Sequence, residues 1–284
     1  MRRFRPAKAG RWALLLLLAA LATTTVGAQE DAAHGPRLNA FDEILDLYVR
    51  DGFVYYRALK LERARLDRVV DQLAITRVAS LSRDEQLAFW LNAYNALVLR
   101  TVIDRYPIDG KSPLYPANSI RQIPGAFESV RHVVAARSLT LDEIENTILP
   151  EFHDPRVYFA LGRGAVGSGR LRSEAFAADR LEPQLIDIAG ECARRLACVQ
   201  IDRTEHQVLA SSIFSWRERE FTAAYAGAAS ARFSARGPVE RAILAYVEPR
   251  LSGLEHEFLA QDAFDVKFLP FDWSLNDLTG RGGR

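Results

Sequence analysis

The chain has 284 residues, 49% of them hydrophobic and 26% charged, with 37 basic against 36 acidic side chains. That length suits one large domain or two small ones, and the apolar fraction is ordinary for a globular core. Five of the basic residues lie before residue 12; the chain beyond residue 28 carries 32 basic and 36 acidic groups, a net charge of −4, which argues against a nucleic-acid or anionic-membrane partner needing a clustered positive field.

The first 28 residues are expected to be a secretion signal. Arg2, Arg3, Arg5, Lys8 and Arg11 make a basic start without acids, residues 12–22 are an unbroken apolar run, and Val26-Gly27-Ala28 supplies the small residues that a signal peptidase reads. A spanning helix needs about 20 apolar residues, so the run predicts export to the periplasm or beyond rather than a stable anchor. Residues 29–37 then form a flexible mature start and 277–284 a flexible tail, around one domain over 38–276.

Within that domain the apolar spacing of Leu38, Phe41, Ile44, Leu45 and Tyr48 predicts a helix over 38–49. A short strand follows over 53–56, then a helix over 57–75. Ser82 and Glu85 form a capping box for a helix ending near Tyr106, before Pro107, and its stretch 89–97 is apolar on most of its circumference, so it is expected to be buried. Residues 131–135 and 138–139 read as a hairpin, and Thr140 with Glu143 caps a helix over 140–149. The run 157–161 reads as a buried strand. A helix over 182–196, strands over 199–202 and 207–209, a helix over 238–247 opened by Pro238, and a strand over 266–271 complete the set. Strands and helices do not alternate, which predicts an α+β single domain, with buried central helices packed on a small, mainly antiparallel sheet.

Cys192 and Cys198 are the only cysteines. In an oxidising compartment they are expected to form a short-loop disulfide tying a helix end to the next strand, against the alternative of two buried thiols. No second Cys/His pair has metal-ligand spacing, and no motif calls for a cofactor.

Several segments carry a family resemblance. Residues 88–97 (AFWLNAYNAL), 138–145 (SLTLDEIE), 154–161 (DPRVYFAL), 212–216 (SIFSW) and 268–276 (FLPFDWSLN) resemble, in order, the motifs of the DUF547 family of uncharacterised proteins, over nearly all of the mature chain. The resemblance implies a fold rather than an activity. It also exposes departures: where the family usually has two cysteines in the loop after Phe-Ala-Leu, this chain has Arg163 and Ser168, and where it often has histidines, this chain has Asn146 and Tyr158. Thiol chemistry needs a thiolate and a base to form it, and those parts are missing here.

The candidate pocket is therefore Asn92, Glu145, Tyr158, Arg163 and Ser168, with no catalytic residue assigned. Asn92 and Asn95 share a face of the buried helix and either line a pocket or fix neighbouring loops; Glu145 is either a cleft acid or an arginine's partner. Trp90, Trp216 and Trp273 are expected to pack in the core. Ser168 lacks an evident base, since none of His34, His132, His153, His206 and His256 occupies a motif position. Gly162-x-Gly164-x-x-Gly167 matches the dinucleotide fingerprint only in its glycines. Three readings follow. The foremost is a non-catalytic module that binds a small molecule or an envelope protein. The others are a divergent serine-type hydrolase using Ser168, with Glu145, and a phosphate-ligand binder built on the 162–169 loop.

Overall fold

The computed structural model describes Met1 and residues 39–279. The expected signal over 1–28, the mature start over 29–37, His34, and residues 280–284 of the tail lie outside the described residues. Helix α1 (Asn39–Tyr48) leads into a two-stranded ribbon, β1 (Val49–Arg50) and β2 (Phe53–Val54), turned by Asp51 and Gly52, both at positive φ. The helix expected over 57–75 is two helices, α2 (Tyr56–Leu61) and α3 (Ala64–Ile75). An unbroken helix would place Glu62 and Arg63 on the stripe shared by Leu59 and Leu66, both fully buried. The break lets Glu62 reach solvent and Arg63 reach Asp67 and Asp104.

Helix α4 (Arg83–Arg105) is the axis of the domain. Both halves of the Ser82–Glu85 capping box are formed, and every residue from Leu87 to Leu99 is buried. A helix apolar all round needs neighbours on every side, and α2, α3 and the segments that follow supply them. The hairpin β3 (His132–Val134) and β4 (Arg137–Leu139) turns through Ala135 and Ala136, both at positive φ. Their amides donate to the Leu73 and Ala74 carbonyls at the end of α3, which offsets the cost of that backbone in residues bearing a Cβ.

The Thr140–Glu143 capping box starts α5 (Leu141–Glu143), which widens into a π turn over Ile144–Ile148 and tightens over Leu149–Phe152. The run expected as a strand over 157–161 is instead a short helix, α6 (Val157–Ala160). Asp154 accepts from the Arg156 amide, and the Val157 and Tyr158 amides close turns onto Asp154 and Pro155. Periodicity cannot separate a fully buried four-residue helix from a strand. Its Phe159 packs on Phe214, Phe221 and Tyr246.

Helix α7 (Leu181–Arg194) is tied to β5 (Val199–Asp202) by the Cys192–Cys198 disulfide, with Cα atoms 5.1 Å apart. Strand β6 (Gln207–Ser211) runs into α8 (Ser212–Trp216) and α9 (Glu218–Tyr225). Then come α10 (Pro238–Val247), α11 (Gly253–Ala260) and β7 (Asp265–Leu269). The sheet order is β5-β6-β7; the first pair is antiparallel and the second parallel. The fold is α+β, helix-rich, with one continuous core. Helices α8, α9 and α11 lie outside the elements expected from the sequence. At the far end Asn276 bonds Tyr56 and Gly52, Asp277 accepts from Tyr106, and the Leu278 amide donates to Val54.

The loop after α6 lies directly on that helix. A Cβ added to Gly169 would fall 1.7 Å from the Phe159 carbonyl oxygen, a backbone atom. Gly169→Ala is therefore expected to cost about 3 kcal/mol or more, measured by urea unfolding, whereas alanine at Gly227, with nothing within 4 Å, serves as the mild control.

Candidate functional site

Glu145 projects inward from the π turn and is only 6% exposed. Its Oε1 accepts from Arg163 Nη2 and from Arg217 Nη2, each at 2.6 Å. Its Oε2 accepts from Arg163 Nε at 3.1 Å and from the Tyr94 hydroxyl at 2.8 Å. Four donors fill the roughly four lone-pair positions of a carboxylate, leaving none to take a proton from a substrate. Burial alone would raise the Glu145 pKa; the two guanidinium groups overcome it and hold it at about 2. Arg163, 2% exposed, also donates from Nη1 to the Tyr158 carbonyl.

The positions where the DUF547 resemblance places cysteines and histidines converge here. Arg163 holds Glu145. Asn146 Oδ1 accepts from Arg217 Nη2 at 2.6 Å, and the Arg217 guanidinium lies 4.4 Å over the Tyr158 ring. Ser168 Oγ accepts from the Arg163 amide at 3.0 Å. Among the described residues none of the four histidines bonds Ser168. His132 approaches Thr101, His206 stacks on Phe258, and His153 ends the turn before α6.

The glycine loop is closed on itself and its neighbours. The Gly162 amide donates to Asn95 Oδ1, Val166 to Ser274, Gly167 to Asp272 and Ser168 to Ala165. The amides of Gly162, Arg163, Val166, Gly167 and Ser168 thus have protein acceptors and are not free to cradle a phosphate. Asn92 likewise clamps Phe176 through both its amide atoms, and Asn95 also donates to Ala160. Both asparagines fix loops.

The proposed pocket residues are accordingly divided. Glu145 and Arg163 line a hollow of about 200 Å³ with Arg121, Phe127, Asp142, Trp216, Arg217 and Trp273. Tyr158 lies beneath Arg217, and Asn92 faces Phe176. Ser168 lines a separate space of about 10 Å³ against Cys192, Cys198 and Ser211, which holds one water at most. Of the three tryptophans expected in the core, Trp90 is buried, Trp273 is half-buried and Trp216 is 46% exposed at the lip of the hollow. Sequence reasoning missed Arg121, Asp142 and Arg217; only the Trp216-Arg217 pair ending an apolar motif hinted at a surface role. Burial raises the Asp142 pKa, helped by Glu128 and Glu145. Among the described residues no three His, Cys, Asp or Glu side chains gather as a metal site.

Removing one member of a buried ion pair leaves the other uncompensated. Arg163→Met is expected to lower stability by about 3 kcal/mol, and Arg163→Met with Glu145→Gln by less than the two single losses together; urea titrations of the four proteins check this cycle. The sign with pH is also fixed. Because Glu145 titrates lower folded than its usual 4.5, its stabilisation is complete above about pH 4.5 and is lost as pH falls toward about 2. The stability gap between wild type and Glu145→Gln should shrink across that window; a gap independent of pH would contradict the assignment.

A family model described as "Protein of unknown function, DUF547" matches residues 78–191, a span running from just before α4 to the end of α7 that includes Asn92, Glu145, Tyr158, Arg163 and Ser168 but not Arg217 or Trp273. No curated protein and no solved structure matches the chain. This chain therefore carries a DUF547 domain, matched over residues 78–191.

Proposed function

We propose that this protein is an exported, non-catalytic binding module whose ligand occupies the hollow between α5, the 162–169 loop and the start of α9. The observation that carries the reading is the Arg163–Glu145 pair. At the point where family resemblance places a thiol, a fully buried guanidinium is locked by a fork of two hydrogen bonds to a carboxylate. A guanidinium stays protonated and is no nucleophile, and Glu145 has no free lone pair to act as base.

Ser168 does not replace the thiol. Its hydroxyl already accepts from a backbone amide, no imidazole among the described residues bonds it, and the space beside it is too small for a substrate. Phosphate capture by the loop is disfavoured because the amides of Gly162, Arg163, Val166, Gly167 and Ser168 are already paired. Export is supported by the basic start, apolar run and small-residue site in the first 28 residues, and by the Cys192–Cys198 disulfide, a bond that persists in oxidising compartments. No helix among the described residues is long and apolar enough to cross a membrane.

A fluorophosphonate that traps activated serines tests the non-catalytic part. Purified protein with its disulfide intact should label no more than its Ser168→Ala variant. Labelling that disappears in the variant would establish a serine enzyme instead.

A further inference from the structure

We propose that the hollow is a saccharide site, taking one pyranose ring whose C–H face lies on Trp216 and whose hydroxyl edge meets Asp142, Arg121 and Arg217. The inference rests on the binding reading above and names its ligand class.

Three groups in the hollow have hydrogen-bonding capacity that the protein leaves unused. The Asp142 carboxylate accepts from no described residue. Among the described residues, the Arg217 guanidinium bonds only through Nη2 and that of Arg121 only through Nη1, to Glu128. Among the described residues the Nε atoms of both arginines are buried without partners, while Arg121 Nη2 and Arg217 Nη1 are neither paired nor sealed off there. The hollow therefore offers an acceptor beside two donors. Hydroxyl groups both donate and accept, so neighbouring hydroxyls of a sugar can bridge a carboxylate and a guanidinium at once.

Charge balance points the same way. Arg121, Arg163 and Arg217 stand against Glu128, Asp142 and Glu145, so three positive groups meet three negative ones. A phosphate or another multiply charged ligand gains no net field there, whereas a neutral polyol needs none. Aromatic packing supplies the apolar face. Trp216 and Trp273 are nearly parallel, at 20° with centroids 6.1 Å apart, and Phe271 packs on both. Trp273 is held by Phe127 and Tyr115, with Arg121 4.6 Å over its ring. A fixed indole wall with an exposed neighbour presents a flat apolar surface at little entropic cost. The volume of about 200 Å³ falls below the roughly 300–1,000 Å³ of drug-sized sites. It fits a single ring, whether a free monosaccharide or the end of a glycan.

Saturation-transfer NMR on the full protein tests this with the methyl glycosides of glucose, galactose, mannose and N-acetylglucosamine, and with β-1,4-linked trisaccharides of glucose and N-acetylglucosamine. At least one sugar should receive saturation at its ring C–H protons. Tighter binding of a trisaccharide identifies a chain end as the ligand, and equal binding a free ring. Trp216→Ala and Asp142→Asn, with folding verified by circular dichroism, should each weaken it about tenfold, the loss expected for one contact of this kind. Sugar binding untouched by both variants overturns the assignment, as does absence of binding to every sugar. L-phenylalanine and inorganic phosphate are run alongside. If either binds at Trp216 while no sugar does, the saccharide class fails but the binding module stands; fluorophosphonate labelling of Ser168 would instead remove the module reading itself.

Discussion

A carboxylate taken almost wholly out of water, with two guanidinium groups and a phenol aimed at it, organises this domain. Glu145 comes from the π turn after α5, Arg163 from the loop after α6, Arg217 from the junction of α8 and α9, and Tyr94 from the middle of α4. Stripping the hydration from three charges costs several kcal/mol per ion. That penalty is offset only when each oxygen finds its donors at short range, so the four elements must arrive together. The π turn follows from this: one widened turn puts Glu145 on the inner side while Ile144 and Ile148 stay in the apolar core.

The same ion cluster fills the interior beside α6 with charged rather than apolar side chains. Polar groups buried at the end of a helix leave cavities or unpaired atoms unless each is matched in size and bonding. Here the space is filled by long side chains whose charges cancel locally, Arg163 against Glu145, with Arg217 stacked on Tyr158. The arrangement is cooperative: a cysteine at 163 would strand the buried carboxylate beside a single remaining guanidinium and the Tyr94 hydroxyl.

Much of this was legible in the sequence, and the rest was hidden for definite reasons. Helix α4 announced itself through Ser82, Glu85, an all-round apolar stretch and Pro107, because capping and burial agree with one another. The hairpin, the Thr140–Glu143 cap and the cysteine pair were visible for similar local reasons. The stretch at Val157 was not, since four apolar residues carry no period. Glu145 and Arg163 could be suspected individually, but Arg217 lies 72 positions from Glu145, and nothing local reports a contact at that distance. Trp216 was misplaced because an apolar motif containing tryptophan reads as core whether or not its last residue turns outward.

Where polar groups are left without partners decides where a ligand can act. The 162–169 loop, the most suggestive stretch of the sequence, has the amides of Gly162, Arg163, Val166, Gly167 and Ser168 paired within the protein, and the two asparagines of α4 are occupied in holding loops. Amides held in this way have little to offer a ligand. The unfilled valences lie on its outer flank, at Asp142, Arg121 and Arg217, beside aromatic rings that exclude water from one side only. Rigid closure of the loop is what fixes those groups in place: Arg163 fastens Glu145, Glu145 fastens Arg217, and Arg217 is thereby held at the rim with one nitrogen still facing outward.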